Sequence, residues 1–264
     1  FYVKTSNDLI KAVANSAAGL QLCAGASDYQ ACLQRQLEQK KEPGALERSC
    51  WREVAAWFAG GKTDLTLTMI EWTGARVQYG SHNPVLQGSQ IGHNQPMIKP
   101  KESAKLDWEG ELAVIIGKPG RRISPQKAMS HVAGYSCYHD GSVRDFQRHT
   151  TQFTPGKNFA ATGGFGPWMV SADEIKDITK ETLTTRVNGV VKQHAGIDLL
   201  IFDIPTLIAY ISTFIPLEGG DVIVTGTPGG VGAARNPPEF LQPGDVTEID
   251  ISGVGILRNT VKEG

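Results

Sequence analysis

The side chains best suited to chemistry in this 264-residue sequence are three acids in one short segment. Asp107, Glu109 and Glu111 directly precede the apolar run LAVIIG, which is typical of a strand buried on both faces. If that strand begins before Leu112, its two-residue period places Glu109 and Glu111 on one face. Carboxylates that lie so close repel each other, and a hard cation such as Mg²⁺, Mn²⁺ or Ca²⁺ would remove that cost. A solvated strand edge with two acids and no ligand is the alternative that the pattern leaves open.

The segment HDGSVRDFQ, residues 139–147, supplies a second set of candidates. Asp140 could add a third carboxylate, although an acid in this position also suits a turn or a helix N-cap. Arg144 and Asp145 form a candidate internal ion pair that would fix the segment.

Two glycine-flanked segments carry further polar candidates. Lys157 is isolated in TPGKN, and Thr227 lies in VTGTPGGVG. The second segment lacks the Lys-Ser/Thr end of a phosphate-binding loop, which argues against nucleotide binding. Its hydroxyl groups and backbone amides remain suited to holding a carboxylate.

Composition excludes several classes of function. The 26 Lys and Arg residues against 27 Asp and Glu residues give a net charge of −1, which argues against a nucleic-acid footprint and a polybasic membrane surface. The four cysteines form no Cys-x-x-Cys pair, which argues against a zinc site, and we interpret the three in the N-terminal part (Cys23, Cys32 and Cys50) as buried apolar residues. No apolar run approaches the length of a membrane span. The first residues do not form a basic and then apolar stretch, so we expect no signal peptide in this sequence. We therefore expect a cytoplasmic protein that acts on a small molecule.

Strands are the main elements expected to position these candidates. Apolar runs and alternation predict strands over 112–117, 135–138, 167–170, 221–225, 246–251 and 255–261, and a hairpin over 183–191. Helices are predicted over 124–132 and 202–215, with a short helical cap over 171–174 and irregular chain over 156–165. The segment LEGGDV at residue 217 recurs as LQPGDV at residue 241, which predicts two similar turns leading into two strands.

The N-terminal part differs in character from the rest. It carries predicted helices over 6–13, 28–41 and 45–59 and a strand over 65–70. We predict an α+β protein with a smaller, partly helical N-terminal region (residues 1–87) and a metal-binding catalytic domain (residues 88–264).

Four segments, taken in order, resemble the fumarylacetoacetate hydrolase superfamily. They are DWEGELAVIIGKPG, GYSCYHDGSVRDFQ, TPGKNF with GGFGPWMV, and GGDVIVTGTPGGVG with FLQPGDVTEIDISGVGILRN. The resemblance covers roughly residues 88–262. It implies a mixed β-sheet roll around a divalent metal, usually Mg²⁺ or Mn²⁺ with Ca²⁺ as a further candidate, and a homodimer.

The resemblance also implies roles for individual residues. Three acids fall on the metal-ligand positions: Glu109, Glu111 and Asp140. Two residues fall on catalytic positions that stabilise oxygen anions: Lys157 and Thr227. Substrate binding is implied for Gln147, Gly226 and Arg144. The partner implied for these residues is a small 2-oxo or 1,3-dicarbonyl acid.

The sequence departs from the family's pattern in residues 1–87, where no Asn-Tyr-x-x-His lid segment is recognisable. In many members a His–acid pair from that lid activates water. Hydrolysis of an acylpyruvate, such as fumarylpyruvate, remains the preferred prediction because the segments HDGSVRDFQ and TPGKNF are similar to those of family members described as hydrolases. The alternatives are decarboxylation or tautomerisation of a 2-oxo diacid such as oxaloacetate, which needs no activated water, and a non-catalytic relative.

Overall fold

The computed structural model describes residues 69–72, 82–149, 151 and 153–264. The three helices predicted in the N-terminal region lie outside the described residues, as does the first part of the strand predicted over 65–70. Within the described part, fourteen strands and four helices confirm the α+β class. No helix in this part has the length and apolar character needed to cross a bilayer.

The described elements alternate mostly between strands and short connections. The strands are β1 (Met69–Trp72), β2 (His82–Val85), β3 (Gln90–Gly92), β4 (Pro96–Lys99), β5 (Leu106–Asp107), β6 (Gly110–Ile116), β7 (Val132–Asp140), β8 (Ser142–Val143), β9 (Gly163–Ser171), β10 (Thr182–Val187), β11 (Val190–Gly196), β12 (Val222–Val224), β13 (Val246–Ile251) and β14 (Gly255–Glu263). The helices are α1 (Pro125–Ala128), α2 (Arg144–Gln147), α3 (Thr154–Lys157) and α4 (Ile204–Phe214).

A seven-stranded mixed sheet carries the predicted site. Its order is β2-β1-β12-β6-β7-β9-β3, so β6 and β7 are antiparallel neighbours near its centre. Gly110 of β6 lies opposite His139 of β7, which brings the acids at the start of β6 beside the end of β7. Two strands of this sheet, β1 and β2, precede residue 88, the predicted start of the metal-binding domain.

A five-stranded sheet of order β11-β10-β13-β14-β4 packs against the first sheet. Every residue of β6 is buried, as its apolar run predicts. Alternate residues of β6 join the second sheet and helix α4 in one core cluster, which includes Leu112, Val114, Ile116, Leu207, Ile208, Ile211, Ile249, Ile251 and Leu257. The opposite face of β6 packs in a second cluster with Tyr138, Phe165 and Val222. Because both faces are covered, the strand that carries Glu111 is held rigidly.

Several predicted elements are confirmed. The hairpin of β10 and β11 turns at Asn188 and Gly189, whose φ angles of 52° and 77° suit a tight turn. Helix α4 lies within the predicted 202–215, and Asp203 caps it by accepting from Thr206 N at 2.8 Å. The repeated segments form similar turns, in which Asp221 accepts from Glu218 N at 2.8 Å and Asp245 from Gln242 N at 2.7 Å.

Three local predictions are wrong. The helix predicted over 124–132 is α-helical only at Pro125–Ala128 and continues as a 3₁₀ turn over Met129–His131. Residues 172–174 form a turn and not a helical cap. The stretch predicted to be irregular contains the start of β9, and Lys157 ends the one-turn helix α3 instead of lying in a loop.

Candidate metal centre

Three predicted acids converge where β6 begins and β7 ends. Ligand atoms of Glu109, Glu111 and Asp140 all lie within 4.8 Å of one another, and all three side chains are buried. The backbone fixes this meeting point, because Asp140 N donates to Glu109 O at 2.9 Å. The alternative interpretation of Asp140 as a turn acid or a helix N-cap is therefore wrong, since Asp140 is 1 % exposed at the end of a central strand. The cluster is the kind of all-oxygen group that could hold a hard divalent cation.

Two buried cations face these carboxylates. Lys157 Nζ lies 2.7 Å from Glu109 Oε2 and also contacts Asp140 Oδ2. Arg144 Nη1 lies 2.6 Å from Glu109 Oε1. Burial raises the pKa of the Glu109 carboxyl, but Lys157 and Arg144 lower it more strongly, so that it lies at about 2. Glu109 is therefore ionised at any ordinary pH, as a metal ligand must be.

The buried charges fit a divalent ion. Among the residues whose side chains are described, the buried carboxylates are Asp107, Glu109, Glu111 and Asp140, and the buried Lys and Arg side chains are Arg144 and Lys157. Four negative groups against two positive groups leave an excess of two negative charges. Carboxylates buried close together are costly, and one divalent cation held by the three acids would lower that cost. The residues present therefore fit the implied metal.

Arg144 begins helix α2 and is held from two sides. Its Nε donates to Asp107 Oδ2 at 2.7 Å, and its Nη1 donates to Gln147 Oε1 at 2.9 Å as well as to Glu109. The predicted pair with Asp145 is wrong, because Asp145 instead accepts from Ser103 Oγ at 2.7 Å. Arg144 Nη2 is buried and has no hydrogen-bond partner within the described part of the chain. That nitrogen is therefore available to an anionic ligand.

The loop after β12 joins the cluster through its backbone. Gly226 has a φ of 95°, a conformation that favours glycine, and its N–H donates to Glu111 Oε2 at 2.8 Å. Thr227 Oγ1 donates to Gly110 O at 3.0 Å and accepts from Gln193 Nε2 at 2.8 Å. The structure thus brings Gly226 and Thr227 to the strand that carries Glu111, with the Thr227 hydroxyl engaged by β6 and β11.

Sequence reasoning missed the contacts of two buried residues at this site. Gln193 of β11 accepts from Gly110 N at 2.9 Å and donates to Thr227, so it links the second sheet to the loop. His139 is fully buried next to Asp140, and its Nδ1 lies 3.3 Å from Thr247 Oγ1. Burial lowers the pKa of His139 to about 4, which keeps the ring neutral near pH 7. His139 belongs to a segment already marked as chemical, but no local signal identifies Gln193, whose partners are distant in sequence.

A cavity of about 420 Å³ lies against the same loop. Thr225–Gly229 form one wall, and the other walls come from the end of β11 and the chain leading into α4. Leu183, Ile197 and Phe202 make much of the lining apolar, and His194 adds a polar group.

Residues 84–262 match the family model described as fumarylacetoacetate hydrolase, C-terminal. The chain belongs to this family. Among its relatives is an oxaloacetate tautomerase (fahd2, mitochondrial) of Xenopus laevis, 42 % identical over 175 residues, which are 66 % of this chain and 55 % of the relative. The oxaloacetate tautomerase YisK of Bacillus subtilis is 40 % identical over 192 residues, 71 % of this chain and 64 % of the relative. The chain thus spans less than two thirds of the length of either relative.

A solved structure of this fumarylacetoacetate hydrolase family shows the same fold. The enzyme from Exiguobacterium antarcticum, named a fumarylacetoacetate hydrolase, superposes with a TM-score of 0.71 at 35 % identity and covers 76 % of each chain. The fold inferred from the four ordered segments is therefore confirmed, and the resemblance stated from them is the family that the chain belongs to.

Proposed function

We propose that the chain catalyses the metal-dependent keto–enol tautomerisation of a 2-oxo diacid of the oxaloacetate kind. The observation that carries this proposal is the buried cluster of three carboxylates with Lys157 and Arg144, whose Nη2 has no hydrogen-bond partner in the described structure. Such a group can bind and polarise a 2-oxo acid. The relatives named oxaloacetate tautomerase favour this function over the acylpyruvate hydrolysis that the sequence motifs suggested.

The contacts of the described histidines also favour tautomerisation over hydrolysis. Hydrolysis of a carbon–carbon bond needs a base that activates water. None of the five histidines with described side chains, His93, His131, His139, His149 and His194, is hydrogen bonded to a carboxylate. Tautomerisation consumes no water and moves only one proton between C3 of the substrate and its 2-oxygen, so the described residues suit it better.

Each site residue has a role in this proposal. Glu109, Glu111 and Asp140 would hold Mg²⁺ or Mn²⁺, which would supply Lewis-acid polarisation of the 2-oxo group. Lys157 would donate to the oxygen that gains negative charge. Arg144 Nη2 would bind a substrate carboxylate.

The 226–227 loop and Gln147 complete the assignment. Gly226 keeps Glu111 in place, and Thr227 would donate to the substrate after exchanging its bond to Gly110 O. Gln147 orients Arg144 through its Oε1. These roles, like the homodimer and the cytoplasmic location expected above, are predictions that activity and solution measurements must test.

Hydrolysis of an acylpyruvate is the second candidate. The structural relative from Exiguobacterium antarcticum is named a hydrolase, and residues 1–68 and 73–81 lie outside the described structure. A base from outside the described residues would be required, because the described histidines have no acid partner.

One set of assays separates these functions. Purified full-length protein with Mg²⁺ is mixed with oxaloacetate prepared as its enol and, separately, with acetylpyruvate. Loss of the enol absorbance without release of CO₂ or pyruvate is the result we expect. Pyruvate from acetylpyruvate would establish hydrolysis, and CO₂ from oxaloacetate would establish decarboxylation, and either alone would overturn the tautomerase proposal.

Glu109→Gln supplies the matched variant, because it removes one ligand charge without changing side-chain size. We expect activity to fall at least about 100-fold, as expected when a metal ligand or charge-stabilising group is lost. Glu248, on β13 and outside the metal centre, provides the control through Glu248→Gln, which should retain activity.

A further inference from the structure

We propose that Asp107 is a positioning residue, whose single buried carboxylate fixes both the guanidinium of Arg144 and the glycine-rich loop that follows Thr227. This rests on the proposed function only in taking Arg144 as the group that binds the substrate carboxylate. Asp107 lies two residues before Glu109. In the described structure its carboxylate is hydrogen bonded to Trp108, Arg144, Gly232 and Ala233, and to none of the three predicted metal ligands.

The Asp107 carboxylate receives four hydrogen bonds from three parts of the chain. Its Oδ1 accepts from Trp108 N at 2.8 Å and from Gly232 N at 2.7 Å. Its Oδ2 accepts from Ala233 N at 2.8 Å and from Arg144 Nε at 2.7 Å. The side chain is fully buried, so all of its stabilisation comes from these donors.

The bond from Arg144 Nε to Asp107 constrains the orientation of the guanidinium group. A guanidinium group is planar, so fixing two of its nitrogens fixes the direction of the third. Asp107 holds Nε, whereas Glu109 and Gln147 hold Nη1. Nη2 is left buried and without a hydrogen-bond partner in the described structure, and Asp107 contributes to its direction by holding Nε.

The bonds to the loop connect Arg144 to the other side of the site. A side chain at Gly232 would place its Cβ 2.6 Å from Asp107 Oδ1 and 2.9 Å from Trp108, so only glycine allows this close approach. Six residues earlier, Gly226 N donates to Glu111. Asp107 therefore anchors the far end of the loop whose near end holds a predicted metal ligand.

Asp107→Asn tests this arrangement, because the amide keeps the shape but presents an NH₂ group to donors that require an oxygen. The ligand is oxalate with Mg²⁺, which resembles the metal-chelating end of a 2-oxo acid and binds without turnover. Calorimetry measures its affinity in the parent protein, in Asp107→Asn, in Arg144→Gln and in the double variant.

We expect Asp107→Asn to weaken oxalate binding by about tenfold or more in the parent chain but by less than about threefold in the Arg144→Gln chain, because the two residues act as one unit. Backbone amides of residues 232 and 233 should also exchange faster with solvent in Asp107→Asn. Asp245→Asn is the control, since Asp245 likewise accepts two hydrogen bonds, but in a turn remote from the site.

Two results would overturn the proposal. The same loss of oxalate affinity in both backgrounds would mean that Asp107 does not act through Arg144, and no oxalate binding by the parent would mean that Arg144 faces no carboxylate ligand. A general structural role would lower thermal stability while leaving oxalate affinity of the folded protein unchanged. If oxalate binding behaves as expected but oxaloacetate is not tautomerised, the proposed function fails and the role of Asp107 stands.

Discussion

At the scale of single residues, the ammonium group of Lys157 lies against the carboxylate cluster. Its Nζ contacts Glu109 and Asp140, two of the three predicted metal ligands, from a fully buried position. One cation therefore neutralises part of the charge that the metal is expected to balance. In the proposed function, Lys157 must donate a hydrogen bond to the substrate as well as contact Glu109 and Asp140.

Lys157→Met tests that dual role. We expect kcat/KM to fall at least about 100-fold, because the donor to the developing oxygen charge is lost. Affinity for Mg²⁺, measured by calorimetry, should stay the same or increase, since the cation that competes for Glu109 Oε2 and Asp140 is removed. Lys99→Met, which removes an exposed hydrogen bond to Gln242 Oε1 outside the cluster, should change neither value. Full activity in Lys157→Met would contradict the assignment.

Among the residues that the structure describes, the one cysteine is Cys137, whose thiol is buried on β7. Burial raises its pKa from 9.0 to about 12. Because the folded-state pKa is the higher one, the neutral thiol contributes stability that is fully present below pH 9.0 and declines as the pH rises toward 12. The role of a small buried apolar residue is predicted for Cys23, Cys32 and Cys50, which lie outside the described residues.

Alkylation measures this protection. We expect iodoacetamide to modify Cys137 at least about 100-fold more slowly in the native protein than in urea, even near pH 9, because the thiolate is not formed in the fold. Peptide mapping by mass spectrometry separates Cys137 from the other cysteines. Equal rates in the two states would show that the thiol is exposed or ionised.

The residues of the site were predictable to different extents. A two-residue period was enough to place Glu109 beside Glu111, and the order of the family segments added Asp140. The partners of Asp107 and Gln193 could not be predicted, because Gly232 lies 125 residues from Asp107 and Gly110 lies 83 residues from Gln193. Hydrogen bonds of that separation depend on how the sheets pack, which no local pattern contains.

At the scale of elements, strands β6 and β10 of the two sheets approach closely at one point. A Cβ on Gly110 would overlap Thr185 Oγ1 and lie 3.1 Å from Ile249 Cδ1. Thr185 Oγ1 is buried and has no hydrogen-bond partner in the described part of the chain. Gly110 therefore lets the sheets meet directly beneath the metal cluster.

Gly110→Ala should lower the free energy of unfolding by about 1–3 kcal/mol, the usual cost of overpacking a close contact. Thr185→Ala in the same chain should recover a substantial part of that loss, because it removes the overlapping oxygen. Denaturant unfolding measures both variants. Gly88→Ala is the control, since no atom lies within 4 Å of a Cβ at that position. If Gly110→Ala lowered the free energy of unfolding equally in the parent chain and in the Thr185→Ala chain, the contact with Thr185 would not be the cause of the loss.

Elements with long apolar patterns were predictable, and their ends were not. The runs that form β6, β12, β13 and α4 are dictated by burial on one or both faces. Strand β7 extends to Asp140 because His139 and Asp140 pair with β6 and β9, although polar residues after Tyr138 suggested that the strand had ended. Helix α1 stops after one turn because Val132 must enter β7.

At the scale of the whole molecule, the net charge of −1 conceals an uneven distribution. The buried carboxylates exceed the buried Lys and Arg side chains by two in the described region, at a single place. A divalent ion that binds only the folded chain should therefore stabilise it. At a free concentration of about 100 times Kd, the gain is about 2.7 kcal/mol.

Scanning calorimetry with Mg²⁺ and with a chelator tests this prediction. The unfolding temperature should rise with Mg²⁺ in the parent protein and rise much less in Asp140→Asn, where a ligand charge is missing. Asp245→Asn should respond as the parent does. The metal site would be placed elsewhere if Asp140→Asn gained as much stability from Mg²⁺ as the parent.

The position of β1 in the seven-stranded sheet limits how the chain can be divided. β1 pairs in parallel with β12 over Met69–Val222, Ile70–Ile223 and Glu71–Val224, so residues before 88 complete the sheet that carries the acids. A chain that began at residue 88 would leave β12 with unpaired backbone groups along one side. Such an open edge recruits strands from other molecules. We expect that shortened protein to aggregate, as light scattering would detect, whereas the full-length chain should stay dispersed.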